Sequence, residues 1–196
     1  MLRRDSGFTL IEIAIVLVII GLLLGGVLKG QELITSARVR NLISQQDGIK
    51  AAFFGFQDRY RALPGDYASA SANIAGVTNN GNGNGQIEGP PATEDILVWD
   101  HLSHAGFING QYTFNATISD TTNPKNPYSV YLQLVWDNTY GTGGPPAKHN
   151  VKTGNQIPVE ILAEVDRKVD DGDPYRGAFQ FSTYTGPGGT APTAPQ

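Results

Sequence analysis

The chain has 196 residues, no cysteine and a formal net charge of −4 at pH 7. A chain of this length has room for one domain with a modest core. Without a basic excess, the composition gives no indication of nucleic-acid binding. We also expect no enzymatic activity, because the sequence contains no cysteine nucleophile, no Gly-x-Ser-x-Gly motif and no phosphate-binding loop.

The longest apolar segment lies near the N-terminus. Residues 8–28 contain one charge, Glu12, and the basic residues Arg3 and Arg4 precede them. At 1.5 Å per residue, this helix would be about as long as a bilayer core is thick. Positive charge before the segment predicts a cytoplasmic N-terminus and translocation of the rest of the chain. A carboxylate inside such a segment is costly, which indicates a functional role for Glu12.

This N-terminus resembles that of the type IV prepilins and pseudopilins in its short basic leader, its Gly7-Phe8 junction and its Thr-Leu-Ile-Glu run. The resemblance implies that a prepilin peptidase/N-methyltransferase cuts after Gly7 and methylates Phe8. It also implies that Glu12 recruits and aligns subunits. A free α-amino group on Phe8 would lie about one helical turn from Glu12, and pairing the two, within or between subunits, would offset the cost of burying the carboxylate. A simple membrane anchor with an interfacial glutamate is the alternative.

Residues 29–63 are predicted to continue this helix in amphipathic form. Apolar residues recur every three or four positions along one face, which indicates a helix covered by other structure. The face comprises Val39, Leu42, Ile43, Gln46, Ile49, Phe53, Phe56, Tyr60 and Leu63, of which only Gln46 is polar. Pro64 and Gly65 are expected to end the helix.

A loop rich in glycine and asparagine follows within residues 66–89. Its asparagines alternate with glycines and precede an isoleucine, as in an EF-hand-like calcium loop. Because neutral amides bind calcium weakly, Glu88, Glu94 or Asp95 must contribute a carboxylate as well. The predicted ligands are Asn80, Asn82, Asn84, Ile87 and Glu94. A flexible Asn-Gly loop without a metal is the alternative.

The residues from Glu94 onwards are predicted to form a short helix, capped by Thr93 and ended by Gly106. Its inward side chains are expected to be Ile96, Trp99, Leu102 and Phe107. His101 and His104 are three positions apart and could serve a zinc ion, but no third ligand is near in sequence. A pair of histidines at the surface or the core edge is the alternative.

The remainder is predicted to be a sheet, because β-branched and aromatic residues alternate with turn clusters. The four predicted strands are residues 111–119, 128–136, 156–163 and 177–185. Before the last strand, Asp170, Asp171 and Asp173 form an acidic turn that could bind calcium or accept backbone N–H groups. A plain Asp-Gly turn is the alternative.

A long helix followed by an antiparallel sheet predicts an α+β fold, a pilin-like roll. The expected organisation is a leader (1–7), a transmembrane and assembly helix (8–28), its amphipathic continuation (29–63), a globular domain (64–185) and a flexible tail (186–196). These segments are read from the sequence alone.

Three functions fit the sequence: a structural subunit of a type IV pilus-like filament, a pseudopilin of a type II secretion system, or a minor tip pilin that binds surfaces. The resemblance implies as partners the prepilin peptidase/N-methyltransferase, copies of this chain and related pilins. It also implies residence in the inner membrane of a Gram-negative bacterium, with the globular domain periplasmic, before assembly into a pilus or pseudopilus. Calcium is the one cofactor to consider.

Overall fold

The computed structural model describes residues 9–140 and 145–180. Its elements in chain order are helices α1 (Leu10–Tyr60), α2 (Ala70–Asn73) and α3 (Glu94–His104), strands β1 (Gln133–Asp137) and β2 (Lys148–Lys152), and helix α4 (Val159–Val169). The chain divides into two units between Arg38 and Val39. The predicted leader and tail lie outside the described residues. The fold is α+β and pilin-like, as predicted.

The first part of α1, up to Arg38, presents apolar side chains on its surface. Large apolar residues from Leu10 to Ile34 are between 46% and 88% exposed. Among the described residues, α1 is the one helix long and apolar enough to cross a membrane, and none of its apolar window is buried within the protein. This segment is therefore not the core helix of a globular domain, and its apolar surface requires a cover from outside.

The second part of α1 forms one wall of the globular core. Val39, Leu42, Ile49 and Phe56 are buried, and Gln46 is buried with them. The other members of the predicted face, Ile43, Phe53, Tyr60 and Leu63, are partly buried. The predicted amphipathic helix is therefore confirmed.

Two apolar clusters extend from this face. In the first, Ile49 and Phe56 pack with Trp99 and Leu102 of α3 and with Leu134 of β1. In the second, Val39 and Leu42 pack with residues of α4, chiefly Ile161 and Val165. Helix α1 thus supplies apolar side chains both to the α3 and sheet side and to the α4 side of the core.

The sheet consists of β1 and β2, which pair antiparallel with Val135 opposite Asn150. A buried ion pair between Lys152 and Asp137 (3.1 Å) joins the two strands. The loop before α3 adds to the edge of the sheet, because Trp136 N donates to the carbonyl oxygen of Ile87 (2.7 Å). Helix α3 packs against β1.

Helix α3 begins and ends as predicted, but its predicted cap is wrong. Thr93 lies in the left-handed region (φ 58°) and its side chain makes no capping hydrogen bond; its hydroxyl donates to Ala92 O instead. Gly106, at φ +79°, turns the chain after the helix, so that Phe107 N donates to Leu102 O (2.9 Å). A left-handed residue at this position closes many helices in the same way.

The strand predicted at residues 111–119 is wrong, because this segment is irregular, with a bend at residues 116–117. Short polar side chains bond to the nearby backbone and replace strand pairing. Asn115 Oδ1 accepts the N–H of Thr117 (3.0 Å), and Thr122 Oγ1 accepts that of Ser119 (2.8 Å).

The strand predicted at residues 156–163 is also wrong. Pro158 precedes the first turn of α4, where a missing N–H costs nothing, and the helix then continues to Val169. Ile161 and Val165 are buried, and Val169 packs beside them. Their spacing of four has the helical period, but the predicted strand ended too early to include it.

The prediction for residues 128–136 is correct only in its second half, where β1 begins at Gln133. Asn126 Oδ1 accepts the N–H groups of Tyr128 (2.8 Å) and Val130 (3.0 Å), which folds residues 126–130 into a turn. Strand β2 was not predicted, because its sequence Lys-His-Asn-Val-Lys is polar. Residues 177–180 form no strand, and the remaining residues of that predicted strand (181–185) lie outside the described residues.

Two phenylalanines of α1, two positions apart in the sequence, test the packing. Phe56 is fully buried, whereas Phe54 is 63% exposed. Phe56→Ala is expected to lower the free energy of unfolding by about 3–5 kcal/mol, and Phe54→Ala by about 0.5 kcal/mol or less. Denaturant titrations of the detergent-solubilised chain, followed by tryptophan fluorescence, measure both. Equal losses from the two substitutions would contradict the placement of this helix face.

Candidate functional site

Glu12 lies in the first turn of α1, where it forms a reciprocal pair with Thr9. Glu12 Oε2 accepts hydrogen bonds from Thr9 N and from Thr9 Oγ1, both at 2.8 Å. In return, Glu12 N donates to Thr9 Oγ1 (3.3 Å). This is a capping box, which satisfies two N–H groups that a helix start leaves without partners.

The capping box places negative charge at the positive end of the helix dipole, where a carboxylate is stabilised. It also fixes the conformation of the Glu12 side chain next to the position where a cut after Gly7 would create an α-ammonium group. Glu12 was predicted as a functional residue, but Thr9 was not predicted as its capping partner. A Thr-x-x-Glu spacing is the usual sequence signal for this cap. Gly7 and Phe8 lie outside the described residues, so their predicted roles stay predictions.

The Asn-Gly loop folds around two buried carboxylates that flank it in sequence. Asp66 Oδ1 accepts the N–H groups of Gly83 (2.7 Å) and Asn84 (3.0 Å), and Asp66 Oδ2 accepts that of Gly85 (2.8 Å). Glu94 accepts the N–H groups of Asn82 (2.9 Å) and Glu88 (3.1 Å). Burial raises the pKa of the Glu94 carboxyl, and these N–H groups act in the opposite direction.

Four of the five predicted calcium ligands lie in this loop and the fifth, Glu94, is the first residue of α3, but their oxygens already have partners within the protein. The side-chain oxygens of Asn80, Asn82 and Asn84 accept the N–H groups of Ser71, Asn84 and Gln86 at 2.8–2.9 Å. The Ile87 carbonyl accepts Trp136 N, and Glu94 holds the loop as described. Calcium at these residues stays a prediction. Asp66, the residue that organises the loop, was not found from the sequence because nothing in its neighbourhood indicates that role.

His101 and His104 have separate partners. His101 is fully buried; its Nδ1 accepts the N–H of Gly65 (3.0 Å), and its Nε2 is 3.1 Å from Asn79 O. The ring is therefore assigned as the Nε2–H tautomer, with both nitrogens used. His104 Nδ1 pairs with Asp100 Oδ1 (2.7 Å). Since neither nitrogen of His101 is left for a metal, the arrangement does not support the zinc alternative.

The acidic turn after α4 uses its carboxylates in two ways. Asp170 Oδ2 accepts the N–H groups of Ala178 and Phe179, and Asp171 and Asp173 accept N–H groups two residues further along the chain. The predicted role as backbone acceptors is thus confirmed. In addition, ligand oxygens of Asp166, Asp170 and Asp171 lie within 4.8 Å of one another. Asp166, which belongs to α4, was not part of the predicted set.

Residues 2–28 match the family model described as the prokaryotic N-terminal methylation motif. This is the type IV prepilin-type signal. It confirms the resemblance seen in the sequence and supports a type IV pilin or pseudopilin family protein. The motif implies processing by prepilin peptidase and assembly with other pilins. No curated protein and no solved structure matches the chain.

The burial of His101 makes a pH-dependent contribution to stability. Desolvation lowers the pKa of His101 to about 4, against 6.5 when it is exposed, and nearby His104 acts in the same direction. The unfolded chain therefore binds more protons between these two values, and this contribution weakens as the pH falls through that range.

His101→Gln removes this titration while keeping an acceptor and a donor. We expect the difference in unfolding free energy between wild type and variant to narrow by about 2 kcal/mol between about pH 7.5 and about pH 5. Denaturant titrations at a series of pH values measure it, and the comparison cancels the titration of other groups. A constant difference would show that His101 titrates normally in the folded protein.

Proposed function

We propose that this protein is a structural subunit of a type IV pilus-like filament. In this proposal, prepilin peptidase cuts the chain after Gly7, Phe8 becomes the N-methylated first residue, and subunits join through the first part of α1. One observation carries the proposal: the prepilin-type signal at residues 2–28 includes the start of helix α1, whose apolar side chains from Leu10 onwards are exposed.

The exposed apolar surface explains why such a chain would both insert into a membrane and assemble. Before assembly, lipid covers the residues from Leu10 to Leu28. A subunit that leaves the bilayer must exchange that cover for other apolar surface, and equivalent helices of neighbouring subunits provide it. Gly21, Gly25, Gly26 and Gly30 have no neighbouring atom within 4 Å of an added Cβ, so other helices could approach closely there.

Glu12 gives this assembly its register. A carboxylate in an apolar helix bundle is costly unless it meets a positive group. Cleavage after Gly7 would create such a group at the adjacent end of every subunit. Because the capping box holds the Glu12 side chain at the helix start, the carboxylate is already oriented before it meets the α-ammonium group of its own or a neighbouring chain.

The proposed location follows from the same features. The chain would reside in the inner membrane with its N-terminus cytoplasmic and its globular unit periplasmic, then move into the filament. The second candidate is a pseudopilin of a type II secretion system, because the signal and the exposed helix serve a short periplasmic filament equally well. The absence of cysteine, together with the acidic cluster after α4, fits either a pseudopilin or a pilin that has no disulfide.

A deletion strain separates these functions. Electron microscopy for surface filaments and an assay of secreted proteins are carried out on the same cultures. We expect loss of filaments with normal secretion. Loss of secretion with intact filaments would indicate the pseudopilin, and loss of surface binding with both intact would indicate a tip pilin.

Complementation of that strain tests the role of Glu12. Glu12→Gln keeps the size of the side chain but removes its charge, and we expect the subunit to be processed normally and to stay in the membrane without entering filaments. Glu32→Gln is the matched control on the same helix, because Glu32 makes only an exposed pair with Lys29 (2.7 Å). Filament yields are measured by shearing and immunoblotting. Equal yields from the two variants would contradict the proposed pairing.

A further inference from the structure

The C-terminal end of α4 brings three carboxylates together. Asp166 lies in the last turns of the helix, and Asp170 is its C-cap residue. One oxygen of each of these residues and of Asp171 lies within 4.8 Å of the others. The negative end of the helix dipole lies at the same place, which adds to the concentration of negative charge.

Asp166 provides an independent indication that something is bound here. The residue is only 3% exposed. The backbone N–H of Gly172 bonds to its carboxylate, but the Oδ1 atom has no hydrogen-bond partner among the described residues. Buried carboxylate oxygens are normally paired. The repulsion of Asp170 and Asp171 adds to the cost of its burial.

Two basic side chains of this part of the chain pair with acids outside the cluster. Lys168 pairs with Glu164 (2.5 Å), and Arg176 lies 3.6 Å from Asp173. Asp173, the third acid of the turn, is not among the three residues whose ligand oxygens lie within 4.8 Å of one another. The cluster combines three carboxylates, an Asp166 that is buried and has one oxygen without a partner among the described residues, and a helix C-terminus.

We propose that Asp166, Asp170 and Asp171 bind a calcium ion. The donors are all carboxylate oxygens, which hard divalent cations prefer and zinc does not. Calcium also accepts the irregular geometry of a loop, with further oxygens from water or backbone, whereas magnesium requires a near-octahedral site. This site replaces Asp173 of the sequence-based alternative with Asp166, and it does not depend on the proposed function.

Calcium at this site would stabilise the packing of the chain that follows α4. Asp170 Oδ2 accepts the N–H groups of Ala178 and Phe179, and Phe179 packs against the cluster that contains Val39 and Leu42. Residues 178–180 form one side of a cavity of about 530 Å³, which is lined also by Phe53 and by residues of β2. Neutralising the three carboxylates would therefore strengthen the attachment of this segment to α1.

Calcium binding is tested on the full processed chain in detergent, by calorimetric titration and by thermal unfolding in CaCl₂, MgCl₂ or a chelator. Wild type is expected to bind calcium and to gain about 5 °C or more in Tm at saturating calcium, with less gain from magnesium. Asp166→Asn and Asp171→Asn are expected to lose the calcium response. Asp173→Asn makes the same charge change in the same loop and is expected to keep it.

The chelator condition separates loss of binding from loss of folding. There, Asp166→Asn is expected to melt no lower than wild type, because it removes a buried charge that repels its neighbours. The proposal is overturned if calcium leaves the Tm of wild type unchanged or if Asp166→Asn and Asp171→Asn respond as wild type does. It is also overturned if Asn84→Ala, in the Asn-Gly loop, abolishes the response instead.

Discussion

The first part of α1 needs a cover that the described part of the chain does not provide. Sixteen large apolar residues from Leu10 to Ile34 are exposed, and the window that could cross a membrane has no buried residue. Burying this much apolar surface stabilises a protein by tens of kcal/mol, at about 25 cal/mol per Å², so the segment requires lipid or other helices. The second part of the same helix is already covered by α3, α4 and the sheet. One helix thus serves two environments.

Polar groups determine where each part of the chain begins and turns. At the N-terminus, Thr9 and Glu12 cap α1 through reciprocal hydrogen bonds. Both residues belong to the prepilin-type signal. In the globular unit, buried carboxylates hold the loops, Asp66 for the Asn-Gly loop and Asp170 for the chain after α4. The chain has no cysteine, so no disulfide can fix these loops. Hydrogen bonds to these carboxylates and to His101 fix them instead.

The features that the sequence predicted correctly depend on local periodicity. The amphipathic face from Val39 to Tyr60 and the short helix from Glu94 have a helical repeat, and the apolar run is evident from its length; the structure confirms all three as helix. The strand predictions were wrong where short polar side chains bond to the nearby backbone, as Asn115 does with Thr117 N. Strand β2 was missed because pairing with β1, and not its own polar sequence, makes it a strand. The roles of Asp66 and Asp166 depend on residues that only the folded chain brings next to them, so no local sequence pattern predicts these roles.

Mass spectrometry of chains sheared from the cell surface tests the central claim, that this is a processed subunit assembled through its N-terminal helix. Our account predicts that the sheared filament fraction contains the chain and that its first residue is N-methylated Phe8. The anchor would then be intact and Glu12 would be the fifth residue of the mature protein. A chain that begins at Met1, or one cut beyond Lys29 and released without its apolar segment, would contradict it.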